Sequence, residues 1–128
     1  MSKVIAFANQ KGGVAKTTST YNVGVSLALR KKKTLIIDLD SQASLTISAG
    51  LEPFEHDKSI VAALQKDSVP IAQCIKELRD NLHIVTSRLE LARLEVEMTG
   101  RLMREMILQR AIEPIRNNYD YILIDCPP

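Results

Sequence analysis

The chain has 128 residues, 45% of them hydrophobic and 25% charged, with 17 Lys+Arg against 15 Asp+Glu. That balance excludes disorder, collagen-like repeats and a disulfide scaffold, and the length suffices to bury a core without staples. The near-neutral total hides an asymmetry, because the first 33 residues carry seven bases and no acid, leaving ten bases against fifteen acids in the rest.

Read in order, the chain alternates short apolar runs with helical stretches. Val4 to Ala8 is followed by a glycine-bearing segment and then a helix over Thr17 to Arg30. This helix is built from mediocre formers, Thr17, Thr18, Ser19, Thr20, Asn22 and Gly24, so packing must hold it. Gly24 and Ala28, with Val23 and Leu27, let it lie close to a sheet. The basic run Arg30-Lys31-Lys32-Lys33 complements its C-terminal end and reads as solvated. Leu35-Ile36-Ile37 is the next strand, a helix lies around Ser59 to Gln65, and Leu82 to Val85 is a third strand. A long helical stretch runs from Leu89 to Ile115, with Gly100 in its middle. In it Leu102, Met103, Met106, Ile107, Ala111 and Ile112 make one apolar stripe expected to lie on the sheet. Met98, Met103 and Met106 are read as core fillers, and Arg88 to Arg116 interleave with glutamates as an exposed, paired face. Pro114 ends or kinks the helix. Tyr121 to Ile124 is the last strand.

Continuous apolar strands, the first included, are expected to be covered on both faces. Their alternation with helices predicts an α/β fold, a doubly wound, mostly parallel sheet flanked by helices in one domain spanning residues 1–128. No apolar run approaches the roughly 20 residues of a membrane span, and no leader-like segment opens the chain, so a cytoplasmic protein without membrane attachment is expected. Cys74 and Cys126, without C-x-x-C spacing, read as thiols rather than a bridge. His56 and His83 have no partners at ligand spacing.

The first strand leads into Asn9-Gln10-Lys11-Gly12-Gly13-Val14-Ala15-Lys16-Thr17-Thr18. Paired glycines let the backbone wrap an anion with N–H groups, and the following helix start adds about half a positive charge. Lys16 is placed to reach the outer phosphates, and the Thr17 hydroxyl to ligate Mg²⁺. The usual G-x-x-x-x-G-K-[ST] pattern fails at both flanking positions, Gln10 and Ala15. Lys11-Gly12-Gly13-x-x-Lys16-Thr17-Thr18 is instead the deviant form, headed by an additional lysine. Here the sequence resembles the ParA/MinD (Soj-like) family of deviant Walker ATPases, most closely its ParA branch, over Lys3 to Pro128. The resemblance implies a P-loop NTPase-type fold, with residues 11–18 (Lys11, Gly12, Gly13, Val14, Ala15, Lys16, Thr17 and Thr18) holding ATP or ADP with Mg²⁺. Ala15 stands where the family often has glycine. Were it to need a positive φ, it would cost on the order of 1 kcal/mol.

Asp38 and Asp40 close the second strand two residues apart, so both are expected on one face, beside the phosphate loop. The family's D-x-D-P-Q segment matches Asp38-Leu39-Asp40-Ser41-Gln42, with Ser41 in place of proline. The match implies Asp38 as an outer-shell Mg²⁺ partner and Asp40 as the group that orients the attacking water. The bland alternative is that the two acids cap the next helix. Asp125, ending Ile122-Leu123-Ile124, is in the Walker B arrangement and would hold a water on Mg²⁺. By resemblance Lys11 crosses a dimer interface to the partner's ATP, acting with Lys16 and Asp40 as catalytic groups.

The implied function is that of a ParA-type Mg-ATPase of chromosome or plasmid partitioning. It would form an ATP-dependent homodimer, be stimulated by a ParB-like protein, and bind DNA non-specifically through a C-terminal half that relatives possess. The chain is accordingly expected to be an N-terminal portion that binds nucleotide weakly and turns over little or no ATP. The final strand lacks a return helix, so part of the sheet is expected to be uncovered. Two other readings are a MinD-like membrane-associated regulator, which needs a C-terminal amphipathic helix, and a relative of the nitrogenase iron protein, which needs suitably placed cysteines.

Overall fold

The computed structural model describes residues 2–8, 14–55, 58–98 and 101–127, with the side chains of Val14, Arg101 and Leu102 outside that description. Lys11, Gly12 and Gly13 of the phosphate loop, together with His56 and Gly100, lie outside the described residues.

Five strands, β1 (Lys3–Phe7), β2 (Thr34–Asp38), β3 (Ile75–Arg79), β4 (Leu82–Val85) and β5 (Tyr121–Asp125), form one sheet in the order β1-β5-β2-β4-β3. β1, β5, β2 and β4 are mutually parallel and β3 runs antiparallel to β4. The helices are α1 (Val14–Leu29), α2 (Ser44–Ser48), α3 (Ile60–Leu64), α4 (Leu91–Glu97) and α5 (Arg101–Ile112). The sheet is wound on both faces, as expected of an α/β fold.

Alternation along the strands assigns each face its core. Ile36 of β2, Leu82 and Ile84 of β4 and Leu123 of β5 pack with Ala28 of α1 and Leu45 of α2. Leu35, Ile37, Val85, Ile122 and Ile124 point the other way and pack with residues of α3, α4 and α5. A Cβ built on Gly24 would stand 2.9 Å from Ile36 Cγ2, so this glycine sets how closely α1 approaches the sheet. α1 ends in a Schellman arrangement: Lys31 has φ 63, its N–H donates to Ala28 O, and the Lys32 N–H donates to Leu27 O.

Four expectations need correction. β1 is exposed along Lys3 to Ala6, with Val4 38% and Ile5 40% accessible, because it is the sheet's outer strand and α1 packs over β2, β4 and β5 instead. The uncovered part of the sheet is therefore β1; the last strand, β5, is held between β1 and β2 and buried over its last four residues. The stretch from Leu89 to Ile115 is α4, then α5, then a 3₁₀ turn at Glu113–Asn118 with Pro114 in its first turn. Its buried face runs through Leu108, Ile112 and Ile115 with Ile107 and Ala111 packed against the same core, while Met103 and Met106 are exposed and Met98 is buried. The missed β3 is a polar edge strand whose Lys76, Glu77 and Arg79 leave no apolar run to see.

Candidate functional site

The register places Phe7, Asp125 and Asp38 in one row across β1, β5 and β2, at the carboxyl ends of the parallel strands. Open α/β sheets bind ligands at that end. The ladder continues one step further, with Leu39 N–H donating to Asp125 O at 3.0 Å and Cys126 N–H to Phe7 O at 3.0 Å.

The first turn of α1 points into this row. Lys16 Nζ lies 2.5 Å from Asp125 Oδ1 and also donates to the Cys126 carbonyl. Thr17 Oγ1 donates to Asp125 Oδ2 at 2.9 Å. Asp125 thus accepts at both oxygens, from two adjacent residues 108 and 109 positions away. All three residues are buried. Ala15 is helical and has no positive φ, so the alanine carries no backbone strain there. Thr18, next along the helix, is exposed.

Beside this pair Asp38 is wholly buried. Its Oδ2 accepts from the Thr46 N–H at 2.9 Å and the Thr46 hydroxyl at 2.8 Å, and its Oδ1 from the Asp40 N–H at 3.2 Å. Burial pushes its carboxyl up to about 6, against the pull of the Thr46 and Asp40 hydrogen bonds, and the charge of Asp125 adds to the rise. The Asp40 carboxylate is half-buried and accepts from the Gln42 N–H at 3.0 Å, closing a turn. The helix-capping alternative therefore describes part of what Asp38 does. The residue preceding α2, Ala43, has φ 57 and offers no side-chain cap, and the Thr46 N–H in the helix's first turn is satisfied by Asp38 instead.

The structure thus brings Lys16, Thr17, Asp38 and Asp125 together at one end of the sheet, with Asp40 on the loop that leaves it. A family model described as an AAA domain matches residues 2–128. The sporulation initiation inhibitor protein Soj of Bacillus subtilis (strain 168) is 39% identical over 128 residues, covering 100% of this chain and 51% of its own. The chain belongs to this AAA family and is ParA/Soj-like.

Two solved structures carry the similarity to the fold. A cobyrinic acid a,c-diamide synthase from Mycobacterium smegmatis, with bound ADP and magnesium, superposes with TM-score 0.90 at 34% identity, covering 100% of this chain and 52% of that one. A plasmid partition protein from Borrelia burgdorferi B31 bound to AMPPNP does so with TM-score 0.85 at 31% identity, covering 100% and 53%. The ParA/Soj-like chain spans about half the length of the curated relatives and solved structures it matches.

Two residues at the site carried no signal in the sequence. Thr46 sits in α2 and Ser87 follows β4. The Ser87 N–H donates to Thr46 Oγ1 at 3.0 Å and its hydroxyl to Asp40 O at 2.7 Å. A lone Thr or Ser is uninformative by type, and the contact that gives these two meaning spans 41 positions. Cys74 is buried and Cys126 half-buried, and neither is in a disulfide. Among the described residues no three His, Cys, Asp or Glu side chains are grouped to hold a metal, and no helix is long and apolar enough to cross a membrane.

Proposed function

We propose that this chain is the nucleotide-binding portion of a ParA-type Mg-ATPase that acts in chromosome or plasmid partitioning. The observation that carries the reading is the joint engagement of Asp125 by Lys16 and Thr17, which sets an ammonium, a hydroxyl and a carboxylate at one helix start. Residues 11–18 would cradle the phosphates of ATP or ADP, and Lys16 would exchange Asp125 for phosphate oxygens. The donors suit Mg²⁺: hydroxyl and carboxylate oxygens only, too few for an all-protein cage, which matches an ion that keeps waters and phosphate oxygens. Thr17, Asp38 and Asp125 would hold it. When bound, Mg²⁺ offsets the charge of the phosphate oxygens. Asp40 would orient the water, and Lys11 would reach the nucleotide of a second copy.

The partition process is favoured by the names of the relatives, among them a chromosome partitioning protein ParA of Myxococcus xanthus, 38% identical over 130 residues. The fold alone would not decide it, since the Mycobacterium smegmatis neighbour is named for a synthase reaction. ATP-dependent dimerisation, a ParB-like stimulator and non-specific DNA binding complete the proposal for the longer protein.

The test is a titration of the chain with a fluorescent ATP analogue, with Mg²⁺ or with EDTA. Binding should need Mg²⁺ and fall at least tenfold in Lys16→Gln, with circular dichroism confirming a folded variant. Binding indifferent to both changes would refute the reading. In the protein extended to its relatives' length, Asp40→Ala should retain ATP and stay dimeric, whereas normal hydrolysis would remove Asp40 from its role.

A further inference from the structure

Four residues from three separate segments close a ring of hydrogen bonds at the carboxyl end of the sheet. The Thr46 hydroxyl donates to Asp38 Oδ2 at 2.8 Å, and the Ser87 N–H donates to that same hydroxyl oxygen at 3.0 Å. The Ser87 hydroxyl donates to Asp40 O at 2.7 Å, and the Asp40 N–H returns to Asp38 Oδ1 at 3.2 Å. Thr46 and Ser87 are buried, so the two bonds at the Thr46 hydroxyl are shielded from bulk water, while the two that reach Asp40 are partly buried.

We infer that Thr46 and Ser87 are positioning residues, which fix the Asp38–Asp40 segment so that the Asp40 carboxylate is aimed and the loop after β4 is coupled to hydrolysis. This rests on the function proposed above, since it gives the water-orienting role to Asp40.

The geometry supplies the reason. Asp40 follows the last strand residue by two positions, where the sheet ladder holds only Leu39, through Asp125 O. Its backbone is pinned instead by the ring, the N–H by Asp38 and the carbonyl by the Ser87 hydroxyl and the Ala43 N–H. Thr46 is the only ring member whose hydroxyl both donates and accepts within the ring. Its donor needs the Asp38 carboxylate and its acceptor needs the β4 loop, so a change in either reaches the other through one oxygen. Ser41 stands where the resembled family has proline, so φ at this position is not fixed by a ring. The side-chain tether from Ser87 supplies a constraint one residue earlier.

The experiment compares Thr46→Val, Thr46→Ser and Ser87→Ala in the protein extended to its relatives' length. It measures Mg²⁺-dependent binding of a fluorescent ATP analogue and single-turnover ATP hydrolysis. Thr46→Val keeps the shape and removes both hydroxyl bonds. It should leave nucleotide affinity within about threefold and slow hydrolysis about tenfold or more, a loss confined to the chemical step. Thr46→Ser should restore the rate, and Ser87→Ala should slow hydrolysis in the same direction by a smaller factor. If Thr46→Val fails to fold, Ser87→Ala carries the test, since it deletes only the bond to Asp40 O. Unchanged hydrolysis in the variants, or a parallel loss of affinity and rate that Thr46→Ser does not restore, overturns the inference while wild-type binding leaves the proposed function standing. A wild-type protein that binds no nucleotide with Mg²⁺ overturns both.

Discussion

Lys16 Nζ lies 2.5 Å from Asp125 Oδ1, joining the start of α1 to the end of β5 across 109 positions, with the lysine side chain 5% exposed and the aspartate 0%. Breaking such a pair from one side strands a buried charge, which costs about 3–5 kcal/mol, far more than a surface pair. Lys16→Ala should therefore destabilise the nucleotide-free chain by roughly that amount. Lys16→Ala/Asp125→Ala should lose less than the two single changes combined. A urea double-mutant cycle measures the difference, and simple additivity would show that the pair is not coupled.

Asp38 gives a pH prediction with a definite sign. Its carboxyl is raised from 3.8 to about 6 by burial, with Asp125 adding to the rise. Between those values the folded chain holds a proton that the unfolded chain has released, so this group's contribution falls as pH rises and its cost is complete above the folded value. Two units correspond to about 3 kcal/mol at most. Asp38→Asn keeps an acceptor for Thr46 and removes the charge, but it turns an amide donor towards the Asp40 N–H in place of Oδ1. Its stability relative to wild type should therefore rise by roughly 1–3 kcal/mol between pH 3.5 and pH 7.5. Urea midpoints at the two pH values check this, and a difference that does not change with pH would contradict it.

At Gly24 two local rules oppose each other. Alanine is the better helix former by about 1 kcal/mol. Its Cβ, however, would meet Ile36 Cγ2 at 2.9 Å and Leu82 Cδ1 at 3.4 Å. Ile36 is wholly buried and β-branched, so that methyl cannot swing clear by a simple rotation. Overpacking of this kind typically costs about 1–3 kcal/mol and should win. Gly24→Ala is therefore expected to lower the thermal midpoint, and Ile36→Leu, which moves the branch off Cβ, should recover part of the loss. A Gly24→Ala variant more stable than wild type would mean that α1 stands further from the sheet.

What the sequence made legible follows from how local each signal is. β2, β4 and β5 announce themselves because both faces are covered and their apolar runs are continuous. Gly24 was readable as a close-approach residue from its place among small neighbours in a poor helix. Lys16, Thr17 and Asp125 stood out by residue type and spacing, and the structure joins the three at the start of α1 and the end of β5. β1 misled, since an apolar run does not reveal that its strand is outermost. β3 and α2 were invisible for opposite reasons. β3 is a polar edge strand, and α2 takes its cap from Asp38, eight positions before Thr46, rather than from the alanine preceding it. The stripe on α5 was right at Ile107, Ala111 and Ile112, which pack on the core, and wrong at Met103 and Met106, which are exposed while Leu108 is buried in their place.

The end of α1 offers a change that should stabilise. Lys31 holds φ 63 at the position after the helix where a Schellman arrangement favours glycine, and its side chain is exposed. A residue with a Cβ pays roughly 1 kcal/mol for the left-handed region, more than glycine's added freedom in the unfolded chain takes back at a position already left-handed. The positive charge at a helix C-terminus offsets a few tenths of a kcal/mol of this, and Arg30, Lys32 and Lys33 remain to supply it. Lys31→Gly should thus raise stability by about 0.5–1 kcal/mol, read as a higher urea midpoint at unchanged slope. The same change at Lys32, which does not have a positive φ, should be neutral or destabilising. Equal effects at the two positions would show that backbone strain at Lys31 is not the cause.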